Sequence, residues 1–281
     1  MDEARSLIVV ADDFGIGPAT SKAILKLATL GSITAGTLLV TSPHAASALQ
    51  DWRKAGQPME LGWQPCLTLD APVLPPQEVP SLVNREGRFF TLAGLVSRAT
   101  QGRLRRHEIF AELKAQQLRF QEMLGHPPSM VAPYQHIQLI PLVGAVMLDL
   151  LSDAEPKPYF RRVREAMVQW IAVRGARLKR LILSTLGRRF RLKQERAGFP
   201  GNDYLAGLTD PRGTKSPQLM KWWLSWTPGR VVELCCRPGF YDGTLIQRVE
   251  RSAILPRCFR CLGAGFPMEE RLGQRMKERE L

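Results

Sequence analysis

LIVVADDFGIGPATSKAILKLATLGSITAGTLLVT (residues 7–41) lays out three elements in a row. LIVVADD (7–13) is a short apolar run of the kind a buried strand needs, and it ends on two acids. The turn-rich FGIGPAT leads into SKAILKLATL, where Ile24, Leu25, Leu27 and Ala28 suit a helix packed on one side, and Gly31 stops the pattern. TAGTLLVT (34–41) reads as a second buried strand. Strand, helix, strand at this spacing predicts a parallel α/β sheet or barrel.

The same signals recur downstream. ELGWQPCLTL (60–69), VAPYQHIQLI (131–140), PYFRRVR (158–164), DYLAGL (203–208) and GRVVELCCR (229–237) are further strand candidates, and ELKAQQLRFQEML (112–124) is an amphipathic helix. On a strand over 131–140, Tyr134, His136 and Gln138 would share one face. DAPVLPPQEVPSLVNREGRFF (70–90) is proline-rich and too long for a simple loop, so it is expected to cross the top of the sheet. With no internal repeat, one domain over 1–281 is expected, with a basic amphipathic segment near 161–197 and a charged tail from about 266.

The bulk composition, 44% hydrophobic and 23% charged over 281 residues, is that of an ordinary globular chain. MDEARSLIVV does not resemble a secretory signal, and no run approaches the ~18 apolar residues of a membrane span. The five cysteines are an odd number, which argues against a disulfide framework and leaves a cytoplasmic protein as the expectation. Cys66 is expected to be a small buried filler, and His44, His107 and His126 to be surface residues. CFRC (258–261) has the spacing of half a zinc knuckle, but no second pair lies near it in sequence. A dinucleotide fingerprint, a P-loop lysine and a Gly-x-Ser-x-Gly elbow are all missing, against nucleotide binding and serine hydrolysis.

Lys and Arg outnumber Asp and Glu by 39 to 26, for a net +13, which favours phosphate-bearing or otherwise anionic partners. Much of that excess lies between Arg161 and Arg196, twelve basic residues against Glu165 and Glu195. Apolar residues interleave with them. Two readings stand: a helix on an anionic membrane surface, at the inner face of the membrane, or a solvated outer barrel helix. No nucleic-acid partner is expected, since charge alone would carry it.

Active sites of α/β sheets and barrels form at the C-terminal strand ends. There lie Asp12 and Asp13, Gln64 and Cys66, Tyr134, His136 and Gln138, and Glu233 and Arg237. Adjacent acids can divide the work, one coordinating an ion while the other takes a proton, or they can simply cap the following turn. His136 is either a hydrogen-bonded pocket histidine or a catalytic group.

These residues resemble a family. ADDFGIGPATSKAILKLATLGSITAGTLLV is similar to the opening of the YdjC/ChbG/HpnK carbohydrate deacetylases, and LGWQPCLTLDAPVLPPQEVPSLVNREGRFF to their Gly-Leu-His-Leu-Asn-Leu-Thr strand and proline-rich loop. GHPPSMVAPYQHIQLIP falls on their His-x-His-x-His segment, and GRVVELCCRPGFYD on the stretch ending Glu-Leu-x-x-His-Pro-Gly. The resemblance implies a distorted (β/α) barrel of TIM-barrel type. It also implies a metal-dependent hydrolase that removes acetyl groups from an amino sugar or lipid-linked sugar, with Mg or Zn as cofactor.

Carried over, the resemblance makes Asp13 a metal ligand and Asp12 the base, with His136 as a further catalytic candidate. Gln64, Tyr134, Gln138 and Arg237 become substrate-binding candidates. Gln64 and Tyr134 stand where the family has ligand histidines, Gln138 at the last of its histidine run, Ala132 at a preceding acid or amide, and Arg237 at its late histidine. Amide and phenol are weak ligands for Mg²⁺ or Zn²⁺ at neutral pH, and Arg237 adds a competing charge. A catalytically silent homologue that binds a sugar or glycolipid with no metal is therefore the alternative to the hydrolase. A homodimer is compatible with either.

Overall fold

A computed structural model of the chain describes residues 5–172, 177–208 and 224–240. CFRC and the charged tail from about 266 lie outside the described residues. Seven strands form one parallel sheet: β1 (Ser6–Phe14), β2 (Ala35–Leu38), β3 (Glu60–Trp63), β4 (Met130–Val131), β5 (Tyr159–Phe160), β6 (Tyr204–Ala206) and β7 (Val231–Cys236). Their order is β5-β4-β3-β2-β1-β7-β6. Among the described residues the α-helices bounded at both ends are α1 (Pro18–Thr29), α2 (Ala45–Lys54), α3 (Leu92–Thr100), α4 (Arg106–Leu124), α5 (Pro141–Leu150), α6 (Met167–Ala172) and α7 (Arg177–Arg196).

Register decides which side chains face inward. Paired parallel residues point to the same side, and Val10 pairs with both Ala35 and Cys235, Ala35 with Glu60, and Met130 with Tyr159. Stepping by two, Asp12, Thr37, Arg161, Glu233 and Cys235 fall on one concave face, while Val9, Ala11, Leu61 and Val131 join the core under the helices. The concave face is tight where β3 passes β4: a Cβ on Gly62 would lie 2.9 Å from Met130 Cβ and 3.0 Å from its carbonyl oxygen, so glycine is required there.

The sheet is strongly curled. Laid flat, five strand spacings of about 4.8 Å would put β5 roughly 24 Å from β7. Yet Tyr159 of β5 donates its hydroxyl hydrogen to Glu233 Oε2 of β7 at 2.8 Å. This half-barrel with outer helices agrees with the barrel-like expectation.

All seven strands match sequence candidates, but several are shorter than expected. β4 ends at Val131, and 134–139 is a 3-10 segment in which Gln135 (φ 51°) and His136 (φ 56°) are left-handed. Alternation of Tyr134, His136 and Gln138 on one strand face is therefore wrong. Pro133 lacks the N–H a ladder would need, and the chain turns into α5 behind Pro141.

The proline-rich connection is anchored on α4. Glu112 accepts from Val73 N and Leu74 N at 3.0 and 3.1 Å, and Glu108 from Ser81 N at 2.6 Å. Burial pushes the Glu112 carboxyl up from its ordinary value, against these donors. Gln116, one turn on, brackets Cys66 by accepting from its N at 3.0 Å and donating to its carbonyl at 2.7 Å. A face of α4 that looks polar thus holds the segment that follows Gln64.

Candidate functional site

Backbone strain marks the place. Of the five described non-glycine residues with positive φ, three (Asp13, Gln135 and His136) lie at or a few residues past the C-terminal ends of β1 and β4, and a fourth, Asp70, lies in the connection that follows β3. Such conformations cost about 1 kcal/mol or more each, and they cluster at functional sites.

Asp13 shows how the acid pair is built. The β1–β2 ladder is irregular between Ala11 and Phe14, and Asp13 sits in that irregularity at φ 71°. A bulge leaves a backbone N–H without its ladder partner. Gln64 Oε1 accepts from that N–H at 3.1 Å, and Gln64 Nε2 donates to Asp13 Oδ1 at 3.1 Å. One buried amide satisfies both the backbone and the side chain of Asp13.

Asp12 faces the concave side and is more heavily bonded. Arg161 donates Nη1 to Oδ2 at 2.9 Å and Nη2 to Oδ1 at 2.8 Å, a bidentate pair. Thr37 Oγ1 donates to Oδ1 at 3.3 Å, Cys235 Sγ to Oδ2 at 2.9 Å, and Arg237 Nη2 to Oδ2 at 3.5 Å. Arg161 Nε also bonds Glu233 Oε1. Asp12, Arg161 and Glu233 are all buried, so this is a charge network in low dielectric.

Burial alone would raise the Asp12 carboxyl. The Arg161 guanidinium, then Arg237, outweigh it and hold the carboxyl down at about 2. Burial pushes Glu233 up, only partly offset by Arg161, and burial with the neighbouring Asp12 charge pushes the Cys235 thiol up. A depressed carboxyl contributes stability that is present above its unfolded value, 3.8, and is lost as pH falls through about 2. The stability gap between the wild type and Asp12→Asn, read by urea unfolding, is therefore expected to narrow between pH 4 and pH 2. Its Asp12 part should fall by about 2 kcal/mol.

The structure brings Asp12, Asp13, Gln64 and Arg237 together. Arg237 Nε lies 3.9 Å from Asp13 Oδ2, and its side chain is 30% exposed, so it reaches the mouth. Tyr134 packs in an apolar cluster with Ile16, Leu39, Cys66 and Leu69. His136 is buried in the strained turn. Gln138 is fully buried, and neither amide atom bonds a described residue. Cys66 is buried as expected, its thiol pushed up to about 12 by burial. His107 and His126 are exposed, and His44 is half-buried.

Arg161, Thr37, Tyr159 and Cys235 were not among the expected site residues. Composition groups Arg161 with a basic surface, yet it is buried, as is Arg180, which pairs with Glu165 at 2.7 Å. The available signal is position: Arg161 lies at the C-terminal end of a strand, as Asp12 and Gln64 do.

The donor set does not fit a divalent ion. Among the described residues no three His, Cys, Asp or Glu side chains converge as ligands. Asp13 Oδ1 already accepts from the Gln64 amide, and Oδ2 faces the Arg237 guanidinium. A divalent cation beside Asp13 would meet that fixed charge, a repulsion of several kcal/mol at an effective dielectric of about 20.

A family model described as YdjC-like protein matches residues 6–276. The chain belongs to the YdjC-like family. Among YdjC-like relatives, the "Carbohydrate deacetylase" of Danio rerio is 31% identical over 150 residues, 52% of this chain and 46% of that protein. The "Chitooligosaccharide deacetylase" of Serratia marcescens is 27% identical over 246 residues, 86% of this chain and 85% of that protein. The chain spans about half the length of the first curated relatives it matches. A crystal structure from Enterococcus faecalis V583, named for cellobiose-phosphate cleavage, superposes with a TM-score of 0.73 at 22% identity, covering 98% of this chain and 93% of that one. The likeness shows that the two share a fold.

Proposed function

We propose that this YdjC-like chain binds an acetylated amino sugar, free or lipid-linked, at the mouth of the half-barrel, without a divalent ion and without hydrolysing the amide. The observation that carries this reading is the closure of Asp13 by Gln64 and Arg237. Asp12 supports it. A carboxylate has about four acceptor positions, and five donors from four side chains converge on this one, so little capacity remains for a water proton. A base held at about 2 also lies far from the neutral pH at which general-base catalysis is efficient.

Polar groups for a sugar remain. Arg237 reaches solvent beside the two acids, and its guanidinium offers several donors to a ligand hydroxyl or acetamide carbonyl. The second reading is a metal-dependent N-deacetylase. It is favoured by the names of the relatives and by an Asp12 kept ionised at the strand end. Acetate release from N-acetylated chitooligosaccharides separates the two. The expected result is sugar binding by chelator-treated protein and no acetate with or without Zn²⁺, Mg²⁺, Mn²⁺ or Co²⁺; ion-dependent acetate release would establish the deacetylase instead.

A further inference from the structure

The crossover from β5 to β6 carries two surfaces that the pocket does not use. α7 packs its inner side on the sheet: Phe190 meets Phe160 with ring centroids 5.7 Å apart, Gly187 lies under Val163, and Arg180 pairs with Glu165. Its direction is fixed at both ends. Arg180 near its start pairs with Glu165, four residues past Arg161, while Lys157, ahead of β5, donates to Ala197 O at 2.7 Å just past its end. The N-terminal end of α7 therefore stands at the mouth, and its C-terminal end near the opposite edge of the sheet.

The outer side of α7 is graded along that direction. At the mouth end it exposes Leu178 (71%), Leu181 and Ile182 behind Arg177; farther down basic side chains dominate, with Arg188, Arg189, Lys193 and Arg196 exposed around Leu192. The centres of the two groups lie about 17 Å apart along the helix axis. Glu195, the one acid on α7, is engaged by Arg191 at 3.2 Å and Arg162 at 3.5 Å.

Two neighbouring segments extend the apolar end. α6 is tied to α7 by Arg180 Nη2 donating to Gln169 O, and to the 224–227 segment by Gln169 Nε2 donating to Thr227 Oγ1. From those segments Met167 (78%) and Trp226 (66%) are also exposed. Large apolar side chains beside the mouth, with basic side chains behind them, form the profile of a surface that seats in a headgroup boundary. Trp is favoured at that depth, and arginines set back from the tip can meet lipid phosphates.

We infer that the outer face of α7, with Met167 and Trp226, docks on an anionic lipid surface with the pocket mouth turned toward the bilayer. The positive charge, which meets no acid among the described residues at Arg188, Arg189, Lys193 and Arg196, singles out this occupant, because a purely apolar protein contact would leave the basic half of the face unanswered. The basic segment expected over 161–197 is thereby narrowed: Arg161 and Arg180 are inside, and the lipid face is the exposed side of α7. The inference is independent of what the pocket holds.

Co-sedimentation of the full chain with phosphatidylglycerol-containing and pure phosphatidylcholine vesicles tests it. Binding is expected to need the anionic lipid and to weaken with salt. Arg188→Gln with Arg189→Gln should weaken partition roughly 30-fold, at about five-fold per basic residue. Leu181→Ser with Ile182→Ser should weaken it roughly 100-fold, the loss of two buried apolar side chains. Both changes are at exposed positions, so circular dichroism and sugar binding should be unchanged. Absence of binding to anionic vesicles, or binding that the serine pair leaves intact, would overturn the inference. So would a dimer that the serine pair dissolves in protein that binds no vesicles, since a second copy would then be the occupant.

Discussion

Arg161→Met is expected to lower unfolding stability by about 3–5 kcal/mol, the usual cost of breaking a buried ion pair from one side. Arg161 is fully buried, bonds Asp12 twice, and bonds Glu233. Its removal leaves two carboxylates in the concave face without their main cation. It also removes a link between the edge strand β5 and the strands β1 and β7, which do not neighbour it in the sheet. Methionine keeps much of the bulk, so the loss reports charge more than cavity. Adding Asp12→Asn and Glu233→Gln should recover most of the stability, because no unpaired charge then remains buried. Urea midpoints for the wild type, the single variant and the triple variant measure this. A single-variant loss below about 1 kcal/mol would mean that the network does not hold the curl.

Gln64→His, Tyr134→His and Arg237→His together are expected to create a divalent-ion site at Asp13. The first two return imidazoles to positions the family resemblance assigns to ligands: Gln64 bonds Asp13 directly, and Tyr134 is tied through its backbone N–H to the carbonyl of Pro65, the residue after Gln64. The third removes the guanidinium 3.9 Å from Asp13 Oδ2. Complete zinc sites are worth about 10–16 kcal/mol, so two regained imidazoles should raise Zn²⁺ affinity by at least ~1,000-fold. Calorimetry on the triple variant and on the variant that retains Arg237 separates the parts. Gln64→His with Tyr134→His alone should gain less, because the fixed charge persists. Equal gains with and without Arg237 would remove that residue from the explanation.

Much of the fold was legible because its signals are local. Apolar runs bounded by Gly and Pro marked all seven strands, and their alternation with helices implied the parallel sheet. Strand ends were less legible. The 131–140 run looked like one strand because apolar and polar residues alternate, but a single missing donor at Pro133 and two left-handed residues turn it after Val131. The acid pair, Gln64 and Arg237 were legible through strand-end position and family resemblance. The geometry joining them was not: nothing local says that Gln64 feeds a bulged Asp13 N–H, or that Arg161, far away in the chain, reaches Asp12. Arg161 sits among so many surface arginines that composition assigns it outward. Only the curl of the sheet brings it inside.

The most direct test of the central claim, that Gln64 and Arg237 have replaced the ion at Asp13, is calorimetric titration of the chelator-treated wild type with Zn²⁺, Mg²⁺, Mn²⁺ and Co²⁺ at neutral pH. No stoichiometric binding of any of the four is the predicted result. One ion bound per chain with affinity that Asp13→Asn abolishes would contradict it.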